Sequence, residues 1–237
     1  MKKILMAALS LVMMMLLTAC GPDDAKNNNP NPPEQAQNTS ETAAKAEATP
    51  ANPETQTPET PPAPTTKLLV AYFSRPGDNY EVGVIEKGNT KILAEMIAEK
   101  TGADLFEIKT VREYPAGYRE CTEVAKQEQV ENARPELVSL VENLQNYNVI
   151  FLGYPIWWSD FPMAIYTFLE KQDFNGKTII PFCTSAGNYM TGKESQIPQF
   201  AKGSIISQGL GIKGKDCQED IPSVKERVDY WINGLGY

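Results

Sequence analysis

Two adjacent indoles, Trp157 and Trp158, follow an apolar run that ends in a proline; the stretch reads FLGYPIWWSDFP, Phe151 to Pro162. A hydrophobic core does not require two large rings just beyond a strand end. A flat ligand does, because aromatic faces stack offset or edge-to-face and each buries a large area. Ser159 and Asp160 place polar atoms beside the rings. The competing reading is that one of the two indoles folds back into the core.

Two further segments could act with this one. SRPGDNYEVGVIEKGNTK, Ser74 to Lys91, joins an apolar run to a helical pattern that starts near Asn89 and Thr90. A helix N-terminus presents unpaired N–H groups and a partial positive charge, which suits a phosphate. Ser74, Asn89 and Thr90 add neutral donors, and Gly88 lets backbone approach closely. Ordinary capping by Asn89 or Thr90 accounts for the same residues equally well. Neither a Walker loop nor a dinucleotide fingerprint is present. The third segment, CTSAGNYMTG, supplies small residues and donors at Thr184, Ser185, Gly187 and Asn188, and another ring at Tyr189. Together the three describe a phosphate pocket beside an aromatic, water-poor slot. A planar ring system carrying one phosphate fits it, and flavin mononucleotide (FMN) is the candidate.

The elements that must position these loops alternate in type. KLLVAYF, DLFEI, NVIFLGYP, KTIIPFCTS and SIISQGLGI are predicted strands. Helices are predicted after Asn89, from near Pro135 (RPELVSLVENL), over FPMAIYTFLEKQ with Pro162 in its first turn, within SQIPQFAKG, and over SVKERVDYWINGLG. Gly102 stops the first helix as a C′ glycine does. Five short apolar strands separated by helices imply an α/β fold, with a parallel sheet covered on both faces. Ligands of such sheets sit beyond the carboxyl ends of the strands, where strand order reverses. All three loops fall there.

Composition divides the chain. Residues 1–20, MKKILMAALSLVMMMLLTAC, follow the charged, apolar and small-residue order of an export signal. The apolar run is short for a membrane span. Its end, LTAC, resembles the lipobox of bacterial lipoproteins, which implies lipidation at Cys20, attachment to a membrane and an extracytoplasmic location. Residues 21–66 carry ten of the 18 prolines and almost no large apolar residue. That composition reads as a disordered tether, spanning roughly 35–40 Å as a flexible coil. Residues 67–237 are long enough for one domain with a proper core. The formal charge of −8 argues against a nucleic-acid partner. With no histidine and no C-x-x-C, a zinc site is not expected; Cys121, Cys183 and Cys217 read as small buried residues or as one disulfide of unassigned pairing.

Taken together, residues 67–234 resemble the flavodoxin-like family. The likeness is carried by YFS at Tyr72 to Ser74, GNT at Gly88 to Thr90, YP at Tyr114 and Pro115, RPEL at Arg134 to Leu137, GYPIWW at Gly153 to Trp158 and PFCTSAGN at Pro181 to Asn188. The resemblance implies a doubly wound five-stranded parallel sheet of order 2-1-3-4-5 with FMN at the switch point. It also implies cofactor contacts from Ser74, Arg75, Gly88, Asn89 and Thr90, from Pro155, Ile156, Trp157 and Trp158, and from Thr184, Ser185, Gly187 and Asn188. Tyr189 is the candidate for a second ring against the flavin. About a dozen residues, PGDNYEVGVIEK, split the phosphate loop, either as a flap over the flavin or as a loose excursion. The implied function is FMN-based electron transfer to a redox partner. The rivals are an NAD(P)H- or quinone-dependent oxidoreductase and a binding module of the same fold that has lost FMN.

Overall fold

The central strand β5, Val149–Pro155, is buried over nearly its whole length, and its side chains alternate between two cores. Ile150, Leu152 and Tyr154 enter one cluster; Val149 and Phe151 enter the other. This two-sided burial explains the unbroken apolar run. Gly153 belongs on the second face, where the Phe182 ring fills the space that a Cβ would take.

The computed structural model describes residues 67–187 and 189–237. The signal at 1–20, with Cys20, and the tether at 21–66 lie outside the described residues, as does Asn188. In chain order the elements are β1 Leu68–Tyr72, β2 Gly77–Asn79, β3 Gly83–Ile85, α1 Asn89–Thr101, β4 Asp104–Glu107, α2 Tyr118–Val130, β5, α3 Met163–Glu170, β6 Thr178–Ser185, α4 Ile197–Phe200, β7 Ile205–Ile206, β8 Leu210–Lys213, α5 Asp216–Glu219 and α6 Ile221–Leu235. The sheet runs β4-β1-β5-β6-β7, with β8 also paired to β6, and every pair in it is parallel. Counting β7 and β8 as one interrupted strand, the order is the expected 2-1-3-4-5. Residues of α1 and α6 cover one face, and those of α3 and α4 cover the other. No helix among the described residues is long and apolar enough to cross a membrane.

The interruption of the last strand has a local cause. Pro181 stands in the middle of β6 and has no N–H to give the ladder. Pairing with β7 ends at Ile179 and pairing with β8 resumes at Phe182. Gly209 passes the proline so closely that a Cβ would lie 2.7 Å from the Pro181 carbonyl oxygen.

Two helix expectations need correction. The RPELVSLVENL segment is not a helix: Leu137 bridges antiparallel to Thr110, with Val111 N–H donating to Glu136 O (2.8 Å) and Val138 N–H to Lys109 O (2.9 Å). Extended pairing with residues 109–111 outweighs its helical spacing. The helix of this crossover is α2, which buries only Cys121 and Ala125 and so lacks an apolar stripe that could announce it. Pro162 is the residue before α3 rather than inside its first turn. The Gly102 stop holds: its φ is 70° and its N–H returns to the Ala98 carbonyl. All three described cysteines are buried and free.

Candidate functional site

A cavity of about 500 Å³ opens beyond the carboxyl ends of β1, β5 and β6. Ser74, Arg75, Asn89, Thr90, Pro155, Ile156, Trp157, Trp158, Thr184 and Ser185 all line it. The helix start and the paired indoles are therefore walls of one cavity. Gly88 and Gly187 do not line it, and Asn188 lies outside the described residues.

The polar end is built around the start of α1. Gly88 is its N-cap residue, with no side-chain cap. The Ser74 hydroxyl instead accepts from the Lys91 N–H at 3.1 Å, reaching in from the end of β1. A Cβ at Gly88 would lie 2.3 Å from that hydroxyl and 2.6 Å from the Arg75 carbonyl oxygen, so only glycine admits the crossing. Thr90 and Thr184 share a hydroxyl hydrogen bond of 2.8 Å, and both are buried. The Asn89 side-chain oxygen accepts from Gln218 Nε2 at 2.7 Å. Helix N–H groups and neutral hydroxyls thus converge at this end.

Arg75 also lines the cavity, but its guanidinium is committed to main-chain carbonyls. It donates to Pro76 (3.0 Å), Pro115 (3.0 Å) and Ala116 (2.9 Å), and to Asp78. Its evident task is to fix the segment inserted after it. That segment is a two-stranded hairpin, β2 against β3, so it is an ordered flap rather than a loose excursion. Gly77 opens it at φ +90°, where a Cβ would also lie 2.7 Å from the Ala116 carbonyl oxygen.

At the aromatic end the two indoles have different surroundings. Trp157 packs edge-on against Phe73 (5.4 Å between centroids) and Tyr114 (4.9 Å). It therefore backs onto the core while still lining the cavity. Trp158 is 52% exposed and rests against α2. Its indole N–H donates to the Thr122 carbonyl at 2.9 Å, and Lys126 Nζ lies 5.1 Å from its ring centroid. Trp157 and Asp160 exchange both main-chain hydrogen bonds (2.9 and 3.0 Å) around a two-residue turn. Trp158 and Ser159 hold positive φ there, at 51° and 60°, as a type I′ turn requires. Asp160 is a support: its carboxylate accepts from the Phe161 N–H (2.8 Å) and the Tyr166 hydroxyl (2.7 Å).

Several lining residues escaped the sequence reading. The hairpin contributes Asn79 and Tyr80; α2 contributes Tyr118, Cys121, Thr122 and Ala125; Ala186 and Gly214 complete the wall. The α2 set has the spacing i, i+3, i+4, i+7 of one helical face, a signal present in the sequence but carried by weakly apolar residues. Tyr189, the expected second ring, does not line this cavity. It is exposed and belongs to a shallower groove with Lys193 and Gln196. Burial pushes the thiols of Cys183 and Cys217 up to about 12 and raises that of Cys121. None is therefore poised as a thiolate. Among the described residues no group of three or more His, Cys, Asp or Glu side chains could hold a metal ion.

The flavodoxin family model matches residues 67–229. A crystal structure of a candidate flavoprotein from Bacteroides uniformis is 29% identical, with a TM-score of 0.57, and covers 71% of this chain and 98% of its own. A second, from Bacteroides eggerthii, is 28% identical with a TM-score of 0.51, covering 67% and 98%. No curated protein matches the chain. A match over most of its length, on a sheet with the expected strand order, places this chain in the flavodoxin family.

Proposed function

We propose that this protein binds FMN and works as an electron-transfer flavoprotein, held on a bacterial membrane, at its periplasmic or extracytoplasmic face, by lipid on Cys20. The observation that carries the reading is the union of two chemistries in one cavity: hydroxyls and helix N–H groups around Ser74, Asn89 and Thr90, and aromatic faces at Trp157 and Trp158. Phosphate suits the first and a flat ring the second. Bound FMN would supply the redox chemistry.

The protein's part is binding and orientation. The α1 start, Ser74, Thr90 and Thr184 would hold the phosphate. Trp157, backed by Phe73 and Tyr114, and Trp158, held by α2, would set the ring plane. Peptide groups of the Trp157–Ser159 turn would meet the ring edge and respond to its protonation. The apolar slot and the acidic surface disfavour added negative charge, which lowers the potential. No side chain is needed as a general base, so the absence of histidine is no obstacle.

The test is to titrate purified full-length protein with FMN and follow tryptophan fluorescence. Saturable quenching supports the reading. Unchanged fluorescence, with protein that stays colourless, leaves the empty binding module instead. An oxidoreductase reading uses the same site and is favoured by the extension of the cavity along Tyr118, Cys121 and Ala125. Steady-state NADH oxidation with a quinone acceptor separates it from a pure carrier.

A further inference from the structure

We propose that Tyr80, on the hairpin inserted into the phosphate loop, is the second ring of the flavin slot, in the role that Tyr189 does not fill. This deepens the FMN reading and rests on it.

The hairpin is anchored where it can do this. Arg75 ties its base to the carbonyls of Pro115 and Ala116, and the Asp78 N–H donates to the Ala116 carbonyl at 2.8 Å. Past Tyr80, the Glu81 carboxylate lies 3.0 Å from Lys213 Nζ, at the end of β8. The hairpin is thus attached on both sides of the cavity mouth, to the loop before α2 and to the last strand of the sheet. Glu81 holds a left-handed φ of 61° in the turn.

These attachments bring Tyr80 to the cavity wall, with Trp157 and Trp158 on the same cavity. Its ring lies 6.0 Å from that of Tyr118, tilted by 38°. Tyr80 nevertheless remains 55% exposed. A large ring held at a cavity by main-chain bonds, yet half open to solvent, still has apolar face to bury. A flat ligand would cover it. Tyr189 is differently placed: its ring lies over Gly187, where a Cβ would meet ring carbons at 2.5 and 2.6 Å, and it stays outside the cavity. The insert thus adds a wall to the slot from this chain's own extra segment. Contact with Tyr80 would slow FMN release.

The experiment compares full-length wild type with Tyr80→Ala, Tyr80→Phe and Tyr189→Ala. Dissociation constants and release rates for FMN and for riboflavin, which lacks the phosphate, are read from tryptophan and flavin fluorescence. Tyr80→Ala should weaken both ligands by about tenfold and speed their release, as loss of one stacked ring does. Tyr80→Phe should stay near wild type, and Tyr189→Ala should change little. An exposed hairpin position tolerates these substitutions, and circular dichroism checks the fold. If wild type binds FMN while Tyr80→Ala binds it equally well, Tyr80 is not the second ring and the FMN reading stands. If Tyr189→Ala is the variant that loses affinity, the role returns to Tyr189. If wild type binds no flavin, both the reading and this inference fall.

Discussion

The indole N–H of Trp158 donates to the main-chain carbonyl of Thr122 at 2.9 Å, joining the loop after the central strand to α2, a helix with no apolar stripe. Two further contacts strengthen the link. Gln129 Nε2 donates to the Trp158 carbonyl at 3.4 Å, and Lys126 lies over the indole ring. An exposed tryptophan in a left-handed conformation is thereby given one orientation. Trp158→Phe keeps a ring and removes the N–H. Stability should fall by less than about 1 kcal/mol, since the bond is partly exposed. FMN affinity should fall several-fold, because the ring is no longer aimed. Urea unfolding and a flavin titration check the two halves separately.

The turn that carries this ring has an unusual composition. Its central residues, Trp158 and Ser159, both hold positive φ, which costs a side-chain-bearing residue roughly 1 kcal/mol or more. Ser159→Gly should therefore raise stability by about 0.5–1 kcal/mol without moving the indole. Ser159→Val should lower it by at least as much. The denaturation midpoints of the two variants should move in opposite directions.

Ser74 replaces the missing N-cap of α1 from outside the helix, through its bond to the Lys91 N–H. Ser74→Ala should cost about 1 kcal/mol of stability. It should also weaken FMN more than riboflavin, because the hydroxyl serves the phosphate end alone. Equal losses for the two ligands would move Ser74 out of the phosphate site.

Arg134 holds the Glu170 carboxyl below its usual range through a two-pronged contact of 2.6 and 2.8 Å. A carboxylate whose folded pKa is lowered adds stability that is fully present above its unfolded value, about 4.3, and is lost as pH falls through the folded value. Glu170→Gln should therefore be less stable than wild type near neutral pH, and the gap should close as pH falls through the lowered value of the folded carboxyl. The pair is partly exposed, so the gap should be small and should shrink with salt. Thermal unfolding across that pH range is the check.

Much of the site was legible because strand ends in a parallel sheet announce themselves. Apolar runs that stop at Ser74, Pro155 and Ser185 mark where loops leave the sheet, and ten of the expected site residues line one cavity. What was hidden shares a physical reason. Helix α2 buries only a cysteine and an alanine, so its inward face does not stand out from its polar one. The 134–144 run has helical spacing, but pairing with residues 109–111 decided the conformation of its first part. The hairpin strands are three residues long, so NYEVGVIE shows only partial alternation, and they are held by Arg75 bonds that no periodicity encodes. Tyr189 lies outside the cavity for a related reason: proximity in sequence to a strand end does not fix which way a loop turns.

The most direct measurement is an equilibrium titration of the full-length protein with FMN, with riboflavin and inorganic phosphate as separate partial ligands. A cavity that joins the α1 start to the two indoles predicts one saturable FMN site per chain, strong quenching of tryptophan emission, and competition from both partial ligands. FMN that binds no more tightly than riboflavin, and that inorganic phosphate does not displace, would mean that the ring and phosphate subsites are not joined. No response to FMN at all would contradict the account outright.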